Sequence, residues 1–389
     1  MRIFFALAKS PNPTFASNLW MANLHDPLVA MGHDVVHWDE GTQALFDMPP
    51  DAPEAAAPRG RYTERFLDAV RRAHATAPLD LVLTYVSDSH LEPAAITQVR
   101  DRVAPIANFF CNNIHQFHLV RRNSRYFTIC LVPEAAAMSA YERAGATPIF
   151  FPMAANPDVY RPLDRARRYE ATFAGQRYAD RAGNMLALRE GGVDAHVFGQ
   201  GWHHTGAAAG VGAGPPAGVG VRPRSPLRRV FDLLRRGASP FQAARDLAEW
   251  DRLRTRHSRA LHPPATDEEY VALFSESAIS LGFLVLGDTH RTLRPLRQVR
   301  LREFEAPMAG AFYLTEHLDE IGLHYEIGRE VVTFRSRAEL VDRAGYYLRH
   351  EDERIRIARA GHERARRDHT WTRRFEGLFA ALRRRKVIR

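Results

Sequence analysis

Apolar runs of single-strand length, each followed by a stretch with helical periodicity, recur along most of this chain. In its first 160 residues they fall at 3–6, 35–38, 79–85, 106–110, 127–132 and 149–151. A strand that is apolar on both faces must be covered on both, and helices between successive strands do this. The pattern therefore predicts parallel sheets in a doubly wound α/β arrangement. Helices over 15–31, with Leu24, Leu28 and Met31 on one face and Gly32 as its stop, and over 62–74 supply covering layers. The alternation restarts with strands at 169–174 and 193–198 and continues at 279–283, 311–315 and 331–334. Helices are predicted over 180–190, 267–275 (capped by Thr266), 339–348, 353–367 and 372–385. A chain of 389 residues calls for two cores of ordinary size. The proline-punctuated segment 151–162 is the expected boundary, dividing 1–156 from 157–370.

In such sheets ligands collect where strands end and loops begin. In the first half these loops are 9–14, 87–90 and 111–118, which bring Asn12, Asn112 and Asn113 forward as binding residues. His115 and Asp88 are the catalytic candidates, since a histidine there can orient or deprotonate a hydroxyl; the ordinary alternative is a loop histidine bonded to backbone. In the second half, Gly175 and Gln176 follow a strand and open a helix, and Gly199 follows the next strand. Exposed N–H groups at such a turn cradle phosphate, and Arg177 and Arg181 can add charge-assisted bonds. Residues 300–316 read as a short helix stopped by Gly310 and delivered onto a strand, with Arg302 and Glu305 one turn apart, facing the same site. A carboxylate suits a vicinal diol, because both oxygens accept and neither donates. The plain alternative is an ion pair internal to the helix.

The series Arg302, Phe304-Glu305, Gly310, Thr315-Glu316, then Tyr325 to Glu330, then His369-Thr370-Trp371 through Phe375, resembles the CgeB-type (spore maturation protein-like) branch of GT-B glycosyltransferases. The resemblance covers most of the chain, with a gap near its middle. It implies two Rossmann-like domains facing a cleft, an acceptor-side domain at 1–156 and a nucleotide-sugar domain at 157–370. It also implies a last helix, 371–389, crossing back to the first domain. The expected donor-binding residues are Gly175, Gln176, Arg181, Gly199, Arg302, Glu305 and Gly310, with Glu305 on the nucleotide ribose. Many related enzymes carry a second glutamate eight positions earlier; this chain has Arg297 there, and Glu303 points elsewhere on the helix.

Residues 203–264 depart from the family pattern and read as an insertion. Its 205–220 stretch is nearly all Gly, Ala, Val and Pro, and 227–236 alternates apolar residues with arginines. That segment can lie on an anionic membrane as a peripheral contact; the commoner arrangement is a helix packed on its own domain. The net charge of +9 is almost wholly arginine, Lys9 and Lys386 being the only lysines. Arginine suits phosphate, but no stripe of aromatic and basic residues marks a nucleic-acid surface. No pair of aspartates at metal-binding spacing occurs, so no metal or other cofactor is expected beyond a nucleotide-sugar co-substrate. Cys111 and Cys130 alone allow no disulfide framework, no apolar run is long enough to span a bilayer, and a cytoplasmic enzyme is expected. The competing functions are a nucleotide-sugar epimerase or hydrolase on the same fold, and a non-catalytic basic protein binding nucleic acid. The acceptor cannot be read from the sequence.

Overall fold

The computed structural model describes residues 1–7, 19–40, 43–46, 48–203 and 240–388. Two compact units divide them: the described residues of 1–154 with 371–388, and the described residues from Ala155 to Thr370.

The first unit is built on a six-stranded parallel sheet: β1 (Arg2–Ala6), β2 (Asp34–Trp38), β3 (Leu81–Thr84), β4 (Ile106–Phe109), β5 (Ile129–Val132) and β6 (Pro148–Phe150), in the order β2-β1-β3-β4-β5-β6. Every residue of β3, β4 and β5 is buried, as two-sided cover requires. Helix α1 (Asp26–Ala30) follows a π-turn at Met21–His25, and Gly32 (φ +79°) then turns the chain toward β2. The next helix, α2 (Ala56–Thr76), begins six residues earlier than the apolar pattern predicts, because Pro58 falls in its first turn, where no N–H is missed. Helix α3 (Pro93–Arg102) is not evident from periodicity alone; Pro93 starts it and Ala95, Ile96 and Val99 bury its inner face.

The second unit has a sheet of the same kind: β7 (Tyr169–Ala174), β8 (Ala195–Phe198), β9 (Leu261–His262), β10 (Ser277–Gly282), β11 (Tyr313–Glu316) and β12 (Val332–Phe334), ordered β12-β11-β10-β7-β8-β9 and parallel throughout. The chain proceeds from β7 outward to β9, returns to β10 and proceeds the other way. The order therefore reverses between β7 and β10, and loops leaving these two strands part from each other and open a crevice. Residues 204–239, including 227–236, lie outside the described residues. The rear of the presumed insertion belongs to the fold: after α4 (Asn113–Gln116), α5 (Met138–Arg143) and α6 (Arg181–Glu190), helix α7 (Pro240–Arg256) packs on α6 through Trp250 and Leu253, and β9 completes the sheet. A two-residue edge strand has too few apolar positions to announce itself. Helix α8 (Asp267–Glu276) opens with a full capping box, Thr266 and Glu269 each bonding the other's backbone.

Candidate donor site at the sheet crossover

The crevice between β7 and β10 is lined by turns whose backbone is held closely. The Gly175 N–H bonds the Phe198 carbonyl (2.7 Å), the Arg177 N–H bonds that of Gln200 (2.9 Å), and the Trp202 indole donates to the Gly175 carbonyl (2.7 Å). Gly199 sits at φ +153°, and a Cβ there would strike the Gly175 carbonyl oxygen, so only glycine permits this approach.

Into this turn the fold delivers three arginines. Arg181, the first residue of α6 and only 2 % exposed, donates to the carbonyl of Gln176 (2.8 Å), the hydroxyl of Tyr178 (2.6 Å) and the carbonyl of Phe283 just past β10 (3.3 Å). Arg300 also donates to the Tyr178 hydroxyl, and Arg302, on α9 (Arg302–Met308), donates to the carbonyl of Ala174 at the end of β7. The guanidiniums of Arg181 and Arg302 lie over the Phe173 ring, 4.9 and 4.8 Å from its centre. Among the described residues none of the three makes an ion pair with a carboxylate, and the Nε of each is buried without an acceptor. Burial pushes the Arg181 guanidinium down to about 10, against the pull of Tyr178. Burial pushes the Tyr178 hydroxyl upward, but Arg181, Arg300 and Arg302 outweigh it and hold the phenol below its ordinary range. Guanidiniums gathered without carboxylate ion pairs among the described residues, Arg181 fully buried and Arg300 and Arg302 half-buried, form a site for an anion.

The carboxylates of α9 are bonded to backbone and to tyrosine hydroxyls, and both favour the charge on Arg302. Glu303 accepts from the Arg300 N–H (2.7 Å) and the Tyr313 hydroxyl (2.6 Å). Glu305, 3 % exposed, accepts from the hydroxyls of Tyr270 (2.8 Å) and Tyr160; burial raises it above the usual carboxylate range against those bonds. Arg302 and Glu305 make no ion pair among the described residues, yet they meet at one phenol: the Tyr270 hydroxyl donates to Glu305 and accepts from Arg302. Gly310 (φ +75°) stops α9 against the Pro162 ring. Gln176 reaches the Gln200 side chain (3.2 Å). Arg177 lies over the Trp250 ring and donates to the Gly201 carbonyl, away from the arginine cluster. Arg300 and Tyr178 were not singled out in the sequence; both flank motifs that were.

At the strand ends of the first unit, polar residues are mostly engaged with one another. Asp88, 2 % exposed, accepts the N–H groups of Arg122 (2.8 Å) and Asn123 (2.9 Å), and burial pushes it up to about 6 against those bonds. This is the geometry of a loop clamp. Glu134 accepts the N–H groups of Asn112 (2.8 Å) and Asn113 (3.3 Å) and the Asn113 side-chain amide (2.7 Å); burial lifts it to about 7. Asn113 is further tied to Tyr141 (2.7 Å), and Asn112 takes a left-handed φ of 65°. His115 is partly exposed on the short helix α4, its carbonyl accepting from the His118 ring (3.2 Å). Asn12 lies outside the described residues. Among them, no three His, Cys, Asp or Glu side chains converge as metal ligands, and no helix is long and apolar enough to cross a membrane.

Residues 224–380 match the family model described as "Glycosyl transferase-like". Solved structures share the whole architecture at low identity. A sucrose-phosphate synthase (tll1590) from Thermosynechococcus elongatus superposes with a TM-score of 0.59 at 12% identity, over 98% of this chain and 100% of that one. A glycosyltransferase from Rickettsia africae ESF-5 gives 0.58 at 9% identity, over 98% of each chain. Anabaena Alr3699/HepE, in complex with UDP-glucose, gives 0.56 at 12%, over 98% and 99%. No curated protein matches the sequence. Residues 224–380 thus carry the glycosyltransferase resemblance, and the chain shares the GT-B fold of these solved structures.

Proposed function

We propose that this glycosyltransferase takes its sugar from a nucleotide-sugar donor and that Arg181, Arg300 and Arg302 hold the donor diphosphate above the Gly175 and Gly199 turns, without a metal. The observation that carries the reading is the cluster of three guanidiniums, free of carboxylate ion pairs among the described residues, at the point where the strand order reverses. Glycosyl transfer builds positive charge on the sugar ring and negative charge on the departing diphosphate. Fixed cations placed in advance around the leaving group lower that barrier. Glu305 is assigned to the nucleotide ribose; the diol replaces the two tyrosine hydroxyls that now bond it. Gln176 and Gly310 complete the donor side, Gln176 at the turn and Gly310 by fixing the end of α9. A relative of the same fold bound to UDP-glucose makes UDP-sugars the first class to test. In the first unit, His115 is the residue assigned to orient the acceptor hydroxyl, with Asn12 and Asn112 assigned to the acceptor side; Asn113 and Asp88 fix the loops. The motif series is what supports assigning the chain to the CgeB-type branch.

The test is thermal unfolding with UDP, GDP and TDP, with and without EDTA. One diphosphate at about a hundred times its Kd should stabilise the protein by about 2.7 kcal/mol, unaffected by chelator. Arg181→Met should abolish the nucleotide-induced shift while the ligand-free protein still unfolds in a cooperative transition, at a somewhat lower temperature. If none of the three nucleotides shifts the transition, the donor-site assignment fails; a shift that EDTA removes refutes metal independence alone.

A further inference from the structure

The connections on either side of β5 form a cavity in the first unit that has no part in the donor site. It encloses ≈ 410 Å³ and is lined by Phe117, Arg121, Arg125, Ala140, Arg143 and Ala144. The first three belong to the connection from β4 to β5, the last three to α5 and the turn after it. Ala140 and Ala144, one turn apart, bring only a methyl group each to the floor, and Phe117 sets its ring against Tyr141 at 4.7 Å between centres. Arg125 and Arg143 stand shortly before β5 and β6, at the amino edge of the sheet, away from the carboxyl edge to which the acceptor residues are assigned.

The backbone that carries these arginines is fixed from beneath. Asp88 accepts the N–H groups of Arg122 and Asn123, the Asn123 amide donates to the Leu91 carbonyl (2.8 Å), and Arg100 donates to the Tyr126 carbonyl (3.2 Å). On the other wall Tyr141 anchors α5 by its bond to Asn113, and Gly145 (φ +78°) turns the chain past Arg125, whose Cβ would lie 3.9 Å from a Cβ at that glycine. Among the described residues no carboxylate lines the cavity, and Arg121, Arg125 and Arg143 make no ion pair, whereas the neighbouring Arg100 and Arg122 are engaged with Asp101 and Asp51. Glu142, next to Arg143 in the chain, is exposed and outside the lining. Like charges gathered around a recess repel one another, and an anion shared between them removes that repulsion. Phosphate suits them best, since its three acceptor oxygens meet planar forks that each donate two parallel bonds. The methyl and phenyl groups beside the arginines leave room for an uncharged organic body attached to the phosphate.

We propose that this cavity is a binding site for a phosphate ester, held by Arg121, Arg125 and Arg143 and separate from the donor diphosphate site. It stands whether or not the donor-site assignment holds. The test is titration calorimetry on the full chain with inorganic phosphate, glucose 6-phosphate and glucose, repeated in the Arg181→Met background so that phosphate taken up by the donor cluster does not mask the second site. Glucose 6-phosphate should bind in both backgrounds and glucose in neither. Two variants separate a built site from a merely basic surface. The triple substitution Arg121→Gln, Arg125→Gln and Arg143→Gln removes the charge, whereas Ala140→Leu fills the floor with every arginine in place. The three arginines are exposed and Ala140 is half-buried, so both variants should keep the fold, which their unfolding transitions check. Each should weaken the sugar phosphate about tenfold or more, the loss of at least one charge-assisted bond. Co-sedimentation with phosphatidic acid and phosphatidylcholine vesicles identifies the source of the phosphate. Retention on the former that both variants lose means that a lipid headgroup fills the cavity; no retention, with the sugar phosphate bound, means that a soluble ester does. Binding that survives the arginine substitutions overturns the proposal, and so does binding that those substitutions abolish but Ala140→Leu leaves intact. Failure of both glucose 6-phosphate and phosphatidic acid to bind overturns it as well.

Discussion

Arg181 is a residue whose position costs stability. Its guanidinium is buried over two aromatic rings and bonded to two carbonyls and a phenol, with no ion pair to a carboxylate among the described residues. Arg181→Met removes the buried charge but leaves the Gln176 and Phe283 carbonyls and the Tyr178 hydroxyl without this donor, a cost of about 1–3 kcal/mol, so it is expected to lose diphosphate and some stability while the fold is kept. Glu134 carries a similar burden in the first unit, and there it is visible as a pH dependence. Its carboxyl titrates at 4.5 in a free chain and at about 7 in the fold, burial outweighing the bonds from Asn113 and Asn112. Between those values the native state keeps a proton that the unfolded chain has released. This contribution thus favours the fold at the acidic end and is lost as pH rises toward 7. Asp88, raised from 3.8 to about 6, acts in the same direction over a lower window. Glu134→Gln cannot titrate and mismatches the Asn113 amide, so it should be less stable at every pH, yet the fall in urea midpoint from pH 5 to pH 8 should be smaller than in the wild type. An unchanged fall would show that Glu134 is ionised throughout.

Helices α9 and α11 (Glu351–Asp368), the latter following α10 (Arg337–Arg349), show how one element positions another. Gly361 lies where α11 passes the Glu330 carbonyl oxygen, and a Cβ would collide with that oxygen and also touch Pro307 of α9. In an exposed helix, glycine to alanine gains about 1 kcal/mol. Here the backbone oxygen cannot rotate away, so Gly361→Ala should instead destabilise by roughly 1–3 kcal/mol as α11 is forced off its neighbours. Because α9 carries Arg302, diphosphate binding should weaken in parallel; calorimetric unfolding with and without nucleotide measures both effects, and a stabilised variant would mean α11 shifts freely. Element by element, legibility followed the strength of the local signal. The strand at Tyr169–Ala174 and the Thr266 cap were readable because an apolar run and a capping box act over a few residues. Strand β9 was not, because two residues on an edge are held by β8 and by helix α7, neither of which leaves a mark on Leu261 and His262 themselves.

For the whole molecule, the division into two units makes separable predictions. The last helix, α12 (Trp371–Arg384), buries Trp371, Phe375, Leu378, Phe379 and Leu382 in the first unit, with Phe375 against Phe151 at 5.5 Å between ring centres. Phe375→Ala should destabilise that unit by about 3–5 kcal/mol and leave nucleotide-induced stabilisation of the second unit intact. Loss of nucleotide binding in this variant would mean that the donor site depends on the first unit. The candidate residues themselves were partly legible: Gly175, Arg181, Gly199 and Arg302 stand in local patterns that announce a strand end or a helix start. Their grouping at one site came from the family resemblance and from no local signal. The bond between Arg300 and Tyr178 joins residues 122 positions apart, and Arg297 meets Glu316 across a loop. The sequence by itself determined the α/β alternation, the near-complete strand list and the positions of turns and caps, because apolar periodicity, glycine conformation and capping act locally. Only the tertiary structure decided the strand order, the crossover between β7 and β10 and the set of side chains meeting there, because those depend on which distant surfaces bury each other.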